Sequence, residues 1–402
     1  MDHVHSLYHV SEITDNPSSK IKIKHYKKTK VNYEIWNYDK EFLANQDKEE
    51  NISCRSVIFS FPEKRLLAYS PGKTILPNLF CNLFNDQKEI YINEYIDGTM
   101  VHLFYDPRIQ SWEIASKNAV SGNYFLSNNV KKTSKTLRDM FVECLTCKTR
   151  SSTNDLHSIE VLKYFPKNYS YTFNMLHPNN VIIYPITHTS LYLTAVYDIT
   201  PKTKRMINIP PIIYENWNFL QNSTILFPKS ISIESWSDMS HMALFKKNQD
   251  VVGYMALHLP SGKRCKFINP KYKEMKHIRK LDPQYVLHYL CLKRINLIDN
   301  YLQFFPQFRK NFFIYKKHCD EFIENLHSAY LVKFVWRNMK DDIDEKYDKY
   351  IHDIHREIYL PSLKNNKIQI TKKVVHDYIM NKPPGEILYS LYHEKRYILR
   401  KM

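Results

Sequence analysis

Hydrophobic and polar residues follow two different periods along this chain. Up to about residue 272, short runs rich in Val, Ile, Tyr, Phe and Thr alternate with turn residues, a pattern that predicts β-strands. The predicted strands cover residues 56–61, 66–69, 90–96, 100–105, 111–115, 169–175, 181–184, 191–198 and 251–259. Helices are predicted over residues 136–145 and 155–164.

After residue 272, apolar residues recur every three to four positions, with Lys and Glu on the opposite face. This spacing predicts helices over residues 283–305, 310–325, 329–336 and 342–358. Pro361 and Pro383-Pro384-Gly385 interrupt the pattern. The sequence therefore predicts two domains, an α+β domain over residues 1–272 and an all-α domain over residues 273–402.

The composition narrows the function classes. The chain has 402 residues, a net charge of +17 and only 6 glycines. Its length and its hydrophobic content of 43% predict a folded core rather than a disordered chain. Neither a GxxxxGK[ST] nor a GxGxxG sequence is present, which excludes two common glycine-rich phosphate loops. The positive charge favours a polyanionic partner, with nucleic acid ahead of a membrane.

The expected location follows from what the sequence lacks. No apolar run reaches about 18 residues, so no membrane-spanning helix is expected. The first residues do not have the basic and then apolar layout of a signal peptide. The 7 cysteines are scattered and odd in number, which is typical of a reducing compartment. We therefore expect a cytoplasmic protein without membrane contact.

A lysine-rich segment occupies residues 20–30, where lysine alternates with isoleucine at its start. This is typical of an edge strand, because lysines discourage pairing with the strands of other molecules. It is equally typical of an arm that contacts phosphates, and the sequence leaves both interpretations open.

The candidate chemistry centres on Glu94-Tyr95-Ile96-Asp97-Gly98. An isolated Asp-Gly between strands is most often an ordinary hairpin turn, but here it belongs to an ordered series of short motifs. The series comprises Cys54-Arg55-Ser56, Pro71-Gly72-Lys73, Glu94 to Val101, Ala115-Ser116-Lys117-Asn118, Tyr171-Thr172-Phe173-Asn174-Met175, Val252-Gly253-Tyr254 and Lys263-Arg264-Cys265-Lys266.

The order and spacing of these motifs resemble the bacteriophage-type ATP-dependent RNA ligase family over residues 32–272, and more loosely up to the C-terminus. The resemblance implies an adenylyltransferase (nucleotidyltransferase) domain of antiparallel sheets with flanking helices, followed by an all-α domain. It implies ATP and Mg²⁺ as cofactors. It also implies RNA as the partner, either tRNA or other single-stranded RNA.

The resemblance assigns nucleotide-binding roles to Arg55, Lys73, Asp97, Gly98, Lys117 and Lys266. Arg55 matches the arginine of the family's Cys-Arg-Gly motif, and Lys266 matches the first lysine of its closing Lys-x-Lys pair. Cations of this kind bind the phosphates of a nucleotide or of an RNA backbone.

The catalytic positions depart from the family. Tyr95 stands where the family has the lysine that attacks the α-phosphate of ATP, and a phenol with a pKa of about 10 does not replace it. Asn174 replaces a glutamate that binds the metal, and an amide is a weaker ligand for a hard cation. Val252 replaces a second acidic residue, and Ile268 replaces the second lysine of the closing pair. No metal ligand is therefore predicted.

Position 95 has no obvious substitute for the lysine. The nearest lysines in sequence, Lys88 and Lys117, do not reach it without redrawing the strand. We therefore predict a ligase-like pseudoenzyme that binds RNA or a protein complex. The alternatives are an active ATP-dependent RNA ligase, repairing RNA or tRNA ends with a displaced nucleophile, and a structural scaffold that binds no nucleic acid.

The wealth of Lys, Asn, Ile and Tyr suggests an AT-rich genome, such as that of a large cytoplasmic DNA virus. The expected protein partners are then viral transcription or RNA-processing proteins, in the host cytoplasm or the virion.

Weaker signals have simpler interpretations. The lone Cys144-Leu145-Thr146-Cys147 lacks two further ligands of a zinc site, and the acidic residues 341–345 are typical of a helix start. The histidines at positions 3, 5 and 9 are expected to belong to a polar N-terminus. The aromatic stripe over residues 301–315 is expected in the core. The interleaved Arg309, Lys310, Lys316 and Lys317 leave an RNA-stacking face open.

Overall fold

The computed structural model describes residues 9–13, 20–28, 30–39, 54–85, 89–126, 135–146, 156, 159–180, 183, 186–245, 251–278, 285–337, 343–364 and 368–392. The chain forms two compact units, Met1–Lys273 and Glu274–Met402. The predicted boundary at residue 272 falls inside a helix, Pro270–Ile278.

Thirteen strands are described in the first unit. They are β1 Val10–Glu12, β2 Ile21–Lys27, β3 Asn32–Tyr38, β4 Arg55–Phe61, β5 Leu66–Ala68, β6 Ile90–Ile96, β7 Thr99–Asp106, β8 Ser111–Ala115, β9 Tyr169–Leu176, β10 Ser190–Thr200, β11 Arg205–Ile209, β12 Val251–His258 and β13 Arg264–Ile268. They form three antiparallel sheets, in the orders β1-β11-β10-β9-β7-β8, β13-β12-β6 and β2-β3-β4-β5.

The α-helices of this unit have ten residues or fewer. They are α1 Pro77–Leu83, α2 Leu137–Thr146, α3 Pro211–Tyr214, α4 Asn218–Gln221, α5 Trp236–Phe245 and α6 Pro270–Ile278. The combination of antiparallel sheets with helices confirms the predicted mixed α and β fold.

Neighbouring residues of a strand point to opposite sides, and both faces of the six-stranded sheet pack in apolar clusters. Val101 and Phe173 are paired across β7 and β9 and belong to a core cluster that includes Phe141 of α2. The adjacent pair, His102 and Thr172, lies on the opposite face. This second face carries the polar residues of the candidate site.

The three-stranded sheet is divided in the same way. Ile92 and Ala256 are paired and pack with Phe80 of α1 and Met239 of α5 in one cluster. Cys265 and Phe267 of β13 belong to the same cluster. Tyr95 of β6 and Arg264 and Lys266 of β13 therefore point to the other side of the sheet.

The four-stranded sheet ends in an exposed lysine-rich strand. β2 pairs only with β3 among the described strands, and Lys22, Lys24 and Lys27 are exposed. The predicted edge strand is therefore confirmed, while Thr29 lies outside the described residues. The role of this segment as a phosphate-contacting arm stays a prediction.

Several predicted elements differ from the structure. The predictions omitted β1, β3, β11 and β13, because short strands with polar residues carry a weak period-two signal. The predicted helix 155–164 appears only as a 3₁₀ helix over Glu160–Tyr164, with residues 155, 157 and 158 outside the described part. The predicted strand 181–184 also falls outside it, apart from residue 183.

The second unit is helical throughout most of its described residues. Its α-helices are α7 Tyr285–Arg294, α8 Ile298–Phe304, α9 Arg309–Tyr330, α10 Glu345–Ile354, α11 Lys372–Met380 and α12 Pro384–Leu391, with π-helical extensions Leu331–Trp336 and His355–Leu363. The longest helix, α9, packs against α10 and α11. It buries a stripe at three-to-four spacing that includes Phe312, Cys319 and Leu326.

The helix boundaries correct three predictions. The predicted helix 283–305 is broken, because Asn296 adopts a left-handed backbone with φ of 55° between α7 and α8. The predicted helices 310–325 and 329–336 are continuous, since Leu326 and Tyr330 prolong the buried stripe. The helix predicted to begin at residue 342 begins at Glu345, capped by Asp344, and residues 341–342 lie outside the described part. Pro361 lies within the π-helical extension.

Among the described residues, none of the helices combines the length and the apolar composition that crossing a membrane requires.

Candidate functional site

The chain crosses from one sheet to another at Asp97-Gly98. β6 pairs with β12, whereas β7 pairs with β8 and β9, so these two residues do not form a hairpin turn. A Cβ atom at Gly98 would lie 2.7 Å from the carbonyl oxygen of Met175 in β9. Only glycine allows this close approach of the two backbones, which explains the residue at this position.

Tyr95 lies on the polar face of the three-stranded sheet and is held by Asp97. The Tyr95 hydroxyl donates to Asp97 Oδ1 at 3.2 Å, and the Tyr272 hydroxyl donates to Asp97 Oδ2 at 2.9 Å. Burial, together with the Asp97 carboxylate, raises the pKa of Tyr95 well above its ordinary value. The phenol is therefore neutral at neutral pH.

Two cations of β13 lie on the same face. Lys266 and Asn93 are both paired with Met255, and the Lys266 amine lies 5.4 Å from the centre of the Tyr95 ring. Arg264, two residues earlier in the strand, donates to the carbonyl oxygen of Gly72 at 2.8 Å. Sequence distance had singled out Lys88, which lies outside the described residues. The fold instead brings Lys266 to Tyr95.

Arg264 is a buried cation in a positively charged neighbourhood. Burial lowers the pKa of Arg264 to about 10, and the Arg55 guanidinium acts in the same direction, while nearby phenols oppose the shift. The side chain remains charged at neutral pH. A buried guanidinium that is near a second one favours an anionic ligand.

Arg55 opens β4 with a buried Nε atom that has no hydrogen-bond partner. The next residue, Ser56, has a left-handed backbone with φ of 59°, where the resembling family has a glycine. This conformation is held by the amide of Ser56, which donates to Asn37 Oδ1 at 2.9 Å. The same asparagine donates to the carbonyl oxygen of Lys117 at 2.9 Å. The backbones of residues 55 and 117 are thereby brought together.

The side chains of the remaining predicted cations point to different surroundings. The Lys117 amine lies 4.5 Å from the centre of the Tyr38 ring. Lys73 is half-buried and follows Gly72, whose carbonyl oxygen binds Arg264. Of the predicted nucleotide-binding residues, Asp97 binds the Tyr95 hydroxyl and Lys266 lies near its ring, whereas Gly98 lies against the backbone of Met175. Arg55 is coupled to Tyr95 through its charge.

The positions expected to bind metal in the family do not supply ligands here. Asn174 donates its side-chain amide to the carbonyl oxygen of Ile96 at 2.8 Å, which fixes the end of β6 against β9. Val252 is a buried apolar residue in β12. Asp97 is engaged by two phenols. No group of three His, Cys, Asp or Glu side chains that suits a metal ion occurs in the described part of the chain. This donor set does not fit Mg²⁺, which prefers several carboxylate and water oxygens.

His102 is a site residue that the sequence analysis missed. Its ring is fully buried on the face of the six-stranded sheet opposite Val101 and Phe173, with Nδ1 3.4 Å from Thr172 Oγ1 and with Nε2 unpartnered. Burial lowers the pKa of His102 to about 3, and the charge of Arg55 acts in the same direction. His102 is therefore neutral at physiological pH. Its position seven residues after Tyr95 carried no motif signal.

Arg264 and Tyr272 were missed for different reasons. Arg264 shares a strand face with Lys266, so the alternation of β13 would have indicated it if the strand had been predicted. Tyr272 reaches Asp97 only through the tertiary fold.

The weaker sequence signals have structural roles or fall outside the described residues. Cys144 is buried and its thiol donates to the carbonyl oxygen of Leu176, while Cys147 is not described. His9 contacts the carbonyl oxygen of Pro260, and residues 3 and 5 are not described. Tyr301 and Phe312 of the aromatic stripe are buried as predicted, but Phe313 is exposed, so the prediction is wrong for that residue, which lies on the solvent side of α9.

No protein-family model matches the sequence, and no curated protein matches it. Parts of the chain are similar to solved ligase structures. A putative ATP-dependent DNA ligase from Aquifex aeolicus is 12% identical, with a TM-score of 0.42 over 76% of this chain and 78% of that one. An archaeal ATP-dependent RNA ligase is 8% identical, with a TM-score of 0.40 over 66% of this chain and 62% of that one.

An RNA ligase from Naegleria gruberi is 12% identical, with a TM-score of 0.36 over 67% of this chain and 98% of that one. These TM-scores are too low to carry an argument about function, which rests instead on the residues of the site.

Proposed function

We propose that the first unit is an adenylyltransferase-like domain that binds the phosphates of a nucleotide or of an RNA end without forming a covalent adenylate. The observation that carries this proposal is the placement of Tyr95. Tyr95, which the resemblance matches to the family's nucleophile, is bound to Asp97 on the sheet face that also carries Arg264 and Lys266. Cations suited to phosphate therefore lie near position 95, which has no amine of its own.

The phenol of Tyr95 does not replace that amine. A nucleophile must present an electron pair to the α-phosphorus, and a phenol does so only as the phenolate. Burial and Asp97 both raise the pKa of Tyr95, so the phenolate is disfavoured at neutral pH. Asp97 also accepts a hydrogen bond from the Tyr272 hydroxyl. A second phenol that donates in this way does not act as a base that removes the proton of Tyr95.

A nucleotide phosphate fits the residues of the site better than a metal ion does. Arg55 has a buried Nε–H without a partner, and Arg264 keeps its charge despite burial. Both are suited to phosphate oxygens, since guanidinium groups bind them through paired hydrogen bonds. Asn174 and Val252 offer no carboxylate, and we therefore assign no step to Mg²⁺.

RNA is the proposed macromolecular partner, as tRNA or another single-stranded RNA, and the net charge of +17 supports a polyanion. We propose a cytoplasmic setting, with transcription or RNA-processing proteins of a large DNA virus as protein partners. That last proposal rests on the AT-rich codon usage that the composition suggests.

A second candidate function is favoured by one distance. The Lys266 amine lies 5.4 Å from the centre of the Tyr95 ring, so a lysine does reach the neighbourhood of position 95. In an active ATP-dependent RNA ligase with a displaced nucleophile, this amine would form a bond to the α-phosphorus. Pyrophosphate would leave and the amine would release its proton to solvent.

One experiment separates these functions. The full-length protein is incubated with α-labelled ATP and magnesium and resolved by denaturing electrophoresis, and ATP binding is measured by calorimetry in parallel. We expect ATP binding without a covalent label. A label that persists through denaturation and disappears in Lys266→Met would establish the displaced nucleophile. Absence of ATP binding and of RNA binding would favour the structural scaffold.

A further inference from the structure

The surface of α9 presents an exposed aromatic ring surrounded by positive charges. Phe313 is 69% exposed. Its neighbours at three and four positions on either side are Arg309, Lys310, Lys316 and Lys317, all of them exposed. Residues at this spacing are adjacent on a helix surface. Four cations therefore frame one ring, and we call these five residues the α9 platform.

The platform is rigidly supported. The preceding residue, Phe312, is 3% exposed and stacks on Tyr301 with ring centres 5.6 Å apart. It also contacts the ring of Tyr289 in α7. Because Phe312 anchors this side of α9 in the core, the backbone at Phe313 is fixed while its ring faces solvent.

The charges of the platform are unfavourable for the helix itself. Arg309 and Lys310 begin α9, where the positive end of the helix dipole favours acidic residues, and its first turn contains none. Phe308, at the N-cap position of α9, makes no side-chain hydrogen bond to the first backbone amides of the helix. Lys317 is paired with Glu321 at 3.6 Å, and such an exposed pair contributes little. Helix stability therefore does not explain this cluster, and an anionic ligand does.

We propose that the α9 platform binds single-stranded RNA, with a base stacked on Phe313 and phosphates contacted by the surrounding cations. Exposed aromatic rings with flanking cations are typical of single-strand binding, because every base offers a flat face and every nucleotide carries a charge. An anionic membrane surface is less suited, since Phe313 and Ile314 are the only large apolar side chains exposed among residues 306–317. This proposal does not depend on nucleotide binding by the first unit.

Fluorescence anisotropy with a labelled oligouridylate and the full-length protein tests the platform. We expect Phe313→Ala to weaken binding about 10-fold at fixed salt, with little change in the salt dependence. The double substitution Lys310→Gln and Lys317→Gln is expected to reduce the slope of log affinity against log salt by about 0.7 for each phosphate contact that is lost. ATP binding is expected to stay unchanged in both variants.

Matched controls come from the 3₁₀ helix of the first unit. Tyr164 is 65% exposed and the Lys163 side chain is 60% exposed, so Tyr164→Ala and Lys163→Gln remove a comparable ring and charge elsewhere. Equal affinity in Phe313→Ala, Tyr164→Ala and wild type would overturn the proposal. So would competition by polyglutamate as strong as that by RNA. Binding to phosphatidylserine vesicles that is lost in Phe313→Ala, without any effect on RNA, would assign the platform to a membrane instead.

Discussion

The site around Tyr95 and the α9 platform use positive charge in opposite ways. At the Tyr95 site, Arg264 is buried, donates to a backbone carbonyl and has a lowered pKa. On the platform, the cations are exposed and surround a ring that faces solvent. A buried cation has lost its water and is directed at one point, so it selects a ligand by geometry. An exposed cation attracts any phosphate and is weakened by salt.

The largest effect is expected from restoring the missing amine at position 95. Tyr95→Lys places an amine beside Asp97 on a backbone that Gly98 and Asn174 hold in position. Burial and the positive charges of Arg55 and Arg264 would lower the pKa of that amine, while Asp97 would oppose the shift. We expect covalent labelling of Tyr95→Lys by α-labelled ATP to exceed that of the wild-type protein by at least about 100-fold. Denaturing electrophoresis measures it.

The matched control for this gain is Tyr91→Lys, which adds a lysine on the same face of β6, four residues away. Labelling of Tyr91→Lys to the same extent would mean that any buried amine on this face reacts. No labelling in Tyr95→Lys, with ATP still bound, would show that the missing metal ligands also limit the reaction.

A smaller effect is expected from removing one buried cation. Arg55→Met keeps most of the length of the side chain and removes the guanidinium with its unpartnered Nε. We expect the affinity for ATP to fall about 30-fold, because a charge-assisted hydrogen bond to phosphate contributes about 2 kcal/mol. The salt slope of RNA binding by the platform should not change. Calorimetry measures the first quantity and anisotropy the second.

Arg65→Met is the control for this substitution, since Arg65 is exposed at the turn between β4 and β5. If Arg65→Met weakened ATP binding as much as Arg55→Met, the affinity for ATP would depend on the net charge of the unit rather than on the site around Tyr95.

The third prediction concerns pH. His102 has a folded pKa of about 3, below its ordinary value of about 6.5 in an unfolded chain. The stability that depends on its neutral form is therefore fully present above pH 6.5 and is lost as the pH falls towards 3. Between pH 7 and pH 5 the unfolding free energy should drop by about 2 kcal/mol from this group alone.

In His102→Phe that part of the acid sensitivity should disappear, as measured by urea unfolding at both pH values. His25→Phe is the control, because the side chain of His25 is 54% exposed. The same pH dependence in wild type and His102→Phe would mean that His102 is hydrated in solution. RNA binding by the platform does not depend on His102, so it should not follow the same curve.

The sequence predicted the local features of the site better than its assembly. The break in the chain at Asp97-Gly98 and the strand after Arg55 were predicted, from residue 56 onward, because turn and polar residues interrupt apolar runs. Sheet membership was not visible, since β6 pairs with β12 across more than 150 residues of sequence instead of with its neighbour β7. For the same reason Lys266 was matched to the family but not recognised as a lysine that lies beside Tyr95.

The second unit shows the complementary limit. Three-to-four spacing indicated its helices, and Phe312 and Tyr301 were correctly expected in the core. Phe313 and Phe312 are both phenylalanines, and they differ only in the side of α9 on which they lie. That side is decided by the stripe formed by Phe312, Cys319 and Leu326, so the exposed ring emerged only when the helix was packed.

The left-handed backbone at Ser56 affects how β4 moves. A serine in this conformation costs about 1 kcal/mol relative to a glycine, so the start of β4 is closer in free energy to its locally opened states than the rest of the strand. Arg55 lies beside this weak point. A phosphate bound to Arg55 would oppose this opening. Phosphate binding would thereby increase the hydrogen-exchange protection of the β3–β4 ladder.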